Sequence, residues 1–127
     1  MEKIGDFFRE LDEVYATGRS EAVERFLTEK TAQACPRRLR IAANNELGSF
    51  YRGSSRFEES VAAFRAAAEL TACEMGKESL EYATVLNNLA GTFRLMGRQE
   101  DALSLFRQAG ELYRKTERRT VTSMPAC

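Results

Sequence analysis

Apolar residues recur along this chain at helical spacing, and no stretch alternates for long between apolar and polar positions. The pattern predicts helices throughout and no strand. Phe7, Phe8, Leu11, Val14 and Tyr15 mark a first helix. Thr17, Gly18, Arg19 and Ser20 form a turn, with Ser20 as N-cap, and Ala22, Val23, Phe26 and Leu27 begin the next apolar face. Further helices are expected over 37–53, 56–74, 79–96 and 98–115, separated at Gly53-Ser54-Ser55 and at Gly97. Pro36 suits a first helical turn, where its missing N–H costs nothing. Ser79 reads as an N-cap, with Glu81 near the positive end of the helix dipole. After Thr116 the apolar periodicity stops, so 117–127 reads as a disordered or truncated tail.

The last four helices repeat. Asn45–Leu70 overlays Asn87–Leu112 without a gap at an offset of 42, and ten of the 26 positions are identical. The shared residues include Asn45/Asn87, Leu47/Leu89, Arg52/Arg94, Arg56/Arg98 and Phe64/Phe106. Residues 1–34 read as a divergent third unit. The expected organisation is one all-α domain over 1–116, made of hairpins 1–34, 37–74 and 79–115. One hairpin cannot bury its apolar face alone, so three stacked hairpins share a core. Tyr51, Phe64 and Phe93 are the large side chains expected inside it.

Leu47, Gly48, Tyr51, Ser60, Phe64 and Ala67, matched by Leu89, Ala90, Phe93, Ala102, Phe106 and Ala109, resemble the signature of the tetratricopeptide repeat. The period of 42 and the run Ala83–Ala90 are similar to the kinesin-light-chain type of that repeat, also common in bacterial proteins. The tryptophan-like position holds Asn44 and Leu86, and the late proline is absent from both copies. The resemblance implies an α-α superhelix, a right-handed solenoid whose concave groove takes a protein or peptide partner.

Composition removes most other chemistry. Nineteen basic residues balance nineteen acidic ones, whereas nucleic-acid binders usually carry a basic excess. The same balance argues against docking on an acidic membrane. No apolar run reaches the roughly 18 residues a membrane span needs, and the charged start carries no signal-peptide pattern. A cytoplasmic protein is expected. The chain has no histidine and three scattered cysteines. It therefore offers no Ser-His or Cys-His pair, no metal-ligand set and no cofactor motif. Catalytic and metal residues are expected to be absent. Glu58-Glu59 and Glu100-Asp101 diverge around a helix and suit helix starts. Arg37, Arg38 and Arg40, with Arg118 and Arg119, read as solvated surface. Cys35, beside Pro36 near a helix start, is the thiol most favoured to ionise; Cys73 reads as core.

The candidate binding residues lie on the first helix of each repeat. Asn45, Ser49 and Arg52 are spaced i, i+4 and i+7, opposite Leu47 and Tyr51. Thr84, Asn87, Gly91 and Arg94 copy that stripe, and Asn88 lies beside it. Asparagine can clamp a backbone amide, and arginine offers a fork of donors to a carboxylate. The plainer alternative is a solvated face, repeated because the units share ancestry. The expected function is a non-catalytic scaffold binding a peptide or protein partner. Two rivals are a peptide-sensing regulatory module, like the bacterial pheromone receptors, and an enzyme, which has no assembled residues to support it. Leu103, Phe106, Ala109 and Tyr113, flanked by Leu105 and Leu112, should leave an apolar face at the C-terminal end that is open to self-association.

Overall fold

The computed structural model describes residues 4–32 and 36–123, with side chains to residue 117. Six helices follow one another: α1 Ile4–Ala16, α2 Ser20–Ala32, α3 Arg37–Gly53, α4 Phe57–Met75, α5 Leu80–Leu95 and α6 Gln99–Ser123. The described residues contain no strand. Packing runs mostly between helices adjacent in sequence, as in a solenoid. None of the described helices is long and apolar enough to cross a membrane.

The boundaries have local causes. Ser79 caps α5: its Oγ accepts the Tyr82 N–H at 3.1 Å and donates to the Gly76 carbonyl at 2.7 Å. Ser20, in contrast, is already the first helical residue of α2. The hydroxyl in that turn comes from Thr17, which accepts the Arg19 N–H at 3.2 Å. Pro36 stands just outside α3 as its N-cap. α6 runs to Ser123, past the expected end near 116. Charged residues are good helix formers and no proline intervenes before Pro125, so loss of an apolar face does not end the helix. Cys35 and residues 124–127 lie outside the described residues.

The two repeat turns close alike. The Arg56 N–H reaches the Tyr51 carbonyl at 2.8 Å, and the Arg98 N–H reaches that of Phe93 at 2.9 Å. The residue just before each arginine is left-handed: Gly97 at φ +81° and its repeat equivalent Ser55 at φ +61°. Gly53 is helical instead. A side chain in that region is strained by roughly 1–2 kcal/mol, and glycine removes the clash at some cost in chain entropy. Ser55→Gly is therefore expected to stabilise the protein by about 0.5–1 kcal/mol. A shift of the urea midpoint to higher concentration checks this.

The core runs between the two rows of helices. Phe7, Leu11, Val23, Leu27, Leu39, Leu47 and Tyr51 fill its first part, and Val61, Phe64, Leu89, Phe93 and Ala102 its second. Tyr51, Phe64 and Phe93 are buried, as the repeat pattern predicts. Glu24 of α2 ties the first two hairpins together. It accepts from the Tyr51 hydroxyl and from Arg56 Nη1, both at 2.9 Å, and these contacts lower its pKa. Ser60 joins three helices by donating to the Gly48 carbonyl at 2.8 Å while its Oγ meets Thr92 Oγ1 at 3.2 Å. Cys73 is exposed rather than core. It stands two residues, or about 200°, around α4 from the buried Thr71.

The apolar end of α6 is partly open. Leu103 is 49% exposed, whereas its repeat equivalent Val61, covered by α5, is 7% exposed. Tyr113 is also exposed, and Leu105 and Phe106 are half-buried. Leu112 turns inward, against Ala83, Leu86 and Ala109.

Candidate functional site

The odd-numbered helices share one side of the stack, and an open cleft of about 420 Å³ lies there. Ile4 and Phe8 of α1 line it, with Ala42, Asn45, Glu46 and Ser49 of α3 and Thr84 and Asn88 of α5. Helical spacing explains the α3 set: residues three, four and seven apart share a face. The opposite face of α3 carries Leu39, Ala43, Leu47 and Tyr51 into the core.

The candidates divide. Asn45, Ser49 and Asn88 meet at the cleft. Asn45 Oδ1 is buried and has no hydrogen-bond partner. Arg52 is committed within the protein: its Nη1 donates to the Asn88 carbonyl at 3.2 Å, and its guanidinium lies 5.5 Å from the centre of the Phe64 ring. Asn87 and Arg94 are exposed and do not line the cleft. Asn87 is followed by Asn88, about 100° further round α5, and Asn88 is the residue that reaches the shared face. Repeat identity therefore does not make Asn45 and Asn87 equivalent in their surroundings.

Sequence reasoning missed Ile4, Phe8 and Glu46. Its spacing groups Phe8 with the core stripe of α1, but it is 40% exposed, while Phe7 and Leu11 are buried. Glu46 is half-buried, and its pKa is raised by desolvation and by the neighbouring Asp12 carboxylate. Burial and the Glu46 charge raise the Tyr15 hydroxyl in turn. Two adjacent aromatics in α1, of which helical geometry can bury only one fully, were the available signal. The described residues contain no cluster of His, Cys, Asp or Glu able to hold a metal ion.

The family model for the tetratricopeptide repeat matches residues 39–115. Among solved structures, a kinesin-light-chain-like protein of Podosopora anserina with nearly identical tetratricopeptide-like repeats superposes with a TM-score of 0.72 at 18% identity, over 91% of this chain and 57% of that one. BtubC (BKLC) of P. vanneervenii superposes with a TM-score of 0.74 at 19% identity, over 90% of this chain and 47% of that one. The chain spans about half the length of these two structures. No curated protein sequence matches it.

Proposed function

The chain belongs to the tetratricopeptide repeat family, whose repeats mediate protein–protein interaction, and from that membership we propose that it is a scaffold holding an extended segment of a partner protein in the cleft between α1, α3 and α5. The observation that carries this reading is the amide of Asn45. It lines the cleft, and its Oδ1 is buried without a partner. A buried, unsatisfied acceptor costs about 1–3 kcal/mol. A ligand N–H that reaches that oxygen supplies the missing donor and offsets the cost on binding. Ser49 and Asn88 supply further polar partners from α3 and α5, so a peptide backbone could be held from two helices at once. Arg52 positions the α5 side of the cleft through the Asn88 carbonyl rather than meeting the ligand. The fold is that of a non-catalytic scaffold family.

The test uses ¹⁵N-labelled protein titrated with an array of unstructured peptides. Shifts are expected in the amides around Asn45, Ser49 and Asn88. Asn45→Ala should weaken any peptide that binds by roughly tenfold, the worth of one amide hydrogen bond of about 1.5 kcal/mol. Asn87→Ala, outside the cleft, should leave binding unchanged. The opposite ranking of these two variants would refute the site.

A further inference from the structure

We propose that the cleft selects a peptide carrying a basic side chain next to an apolar one, the cation held at Glu46 and the apolar group against Ile4 and Phe8. This inference rests on the peptide reading above and names the chemistry of its ligand.

Glu46 lines the cleft from α3. No arginine or lysine pairs with it among the described residues, although eight other acidic side chains have such partners. The charge that acts on it is another carboxylate, Asp12, and the Glu46 charge in turn acts on the Tyr15 hydroxyl. The acidic end of the cleft therefore has no counter-charge of its own. Arg38, the cation among the lining residues, is eight positions before Glu46 on α3, about 12 Å along the helix axis.

At the Glu46 end of the cleft, away from Arg38, the groups left over by the fold are acceptors. Glu46 has no cation, and Asn45 Oδ1 has no donor. Both call for N–H groups, which a basic side chain and the peptide backbone supply together. The apolar wall belongs to the same cleft: Ile4 and Phe8 are 39% and 40% exposed beside it. A lysine or arginine stem packs along such a surface while its head reaches a carboxylate, and an aromatic face attracts the cation as well. An acidic peptide would meet Glu46 and Asp12 at the same place and be repelled.

Glu46 also bears a cost that the fold does not need. A carboxyl whose pKa is raised in the folded state favours its protonated form there, so stability falls as pH rises through that pKa. At neutral pH the ionised side chain works against folding, and Glu46→Gln is expected to melt higher than the wild type.

Three fluorescein-labelled peptides of equal length test the proposal by anisotropy: one of Leu, Ala and Lys, one with Glu in place of Lys, and one with Ser. Wild type should bind the Lys peptide about tenfold more tightly than the Ser peptide, an advantage that shrinks in high salt. Glu46→Gln should abolish that advantage and leave the Ser peptide within about twofold of wild type. Tightest binding of the Glu peptide, or an unchanged Lys-to-Ser ratio in Glu46→Gln, would overturn the charge preference. If Asn45→Ala still weakened binding, the peptide reading would survive that outcome. Failure of all three peptides to bind would overturn both.

Discussion

Phe64→Ala is expected to cost about 3–5 kcal/mol, the range for emptying a fully buried aromatic site. The ring is 0% exposed and lies where three helices meet. It packs against Leu89 and Phe93 of α5, faces the Gly48 backbone of α3 and lies under the Arg52 guanidinium. Alanine would leave a void that α3 and α5 cannot both close, because Ser60 fixes their separation through Gly48 and Thr92. A domain of this size has only about 5–15 kcal/mol to lose. The variant should therefore unfold at a much lower urea concentration or fail to fold. Phe106→Ala provides the comparison. It occupies the equivalent position in the second repeat but is only half-buried, so its loss should be smaller. Equal midpoints for the two variants would contradict the seam assigned to Phe64.

The second large effect should come from one methyl group. Gly48 lies within α3, and a Cβ built there would stand 2.7–2.8 Å from three atoms of the Phe64 ring. Helix propensity alone favours Gly48→Ala by roughly 0.5–1 kcal/mol. The clash opposes this and is larger, because Phe64 is enclosed and cannot swing away. Overpacking of this kind costs about 1–3 kcal/mol, so the net change should destabilise by about 1–2 kcal/mol. Gly110→Ala isolates the two contributions. Gly110 is also inside a helix, but a Cβ there would meet only the flexible Arg114 guanidinium at 3.8 Å, an ordinary contact. That variant should gain about 0.5–1 kcal/mol. Opposite shifts in the two thermal midpoints are the expected result, and shifts of the same sign would show that propensity, not contact, sets the response at position 48.

These two sites also show why much of the fold was legible in the sequence. Small Gly48 and Ala90, each followed sixteen residues later by a phenylalanine, recur at the offset of 42 with the same turn between the helices. Such a pattern fixes helix order, register and core together, because the residues that must touch are the residues that repeat. The cleft was less legible for the same reason. Repetition reports what two units have in common, and a site depends on what each unit has beside it. Asn45 faces a cleft bounded by α1 and α5, whereas the same residue type at 87 is exposed. Glu46 and Phe8 have no repeated partner to draw attention to them, and the desolvation of Glu46 exists only once α1 lies against α3. Ser55 shows a further limit: backbone geometry, not residue identity, passes from one repeat to the other, so a serine holds the glycine conformation.

The helix with the lightest packing in the stack is α1, which touches only α2 and α3 appreciably. It also supplies the apolar wall of the cleft through Ile4 and Phe8. In a stack stabilised by nearest neighbours, a helix this lightly packed opens locally at a small fraction of the global unfolding free energy. The cleft is thus closed by the part of the molecule that detaches most readily. A ligand gripped between α1 and α3 would act as a splint for that helix, and binding and the ordering of α1 would become a single equilibrium. Part of the free energy of recognition would be spent on holding α1 in place, which favours modest affinity and quick release of partners.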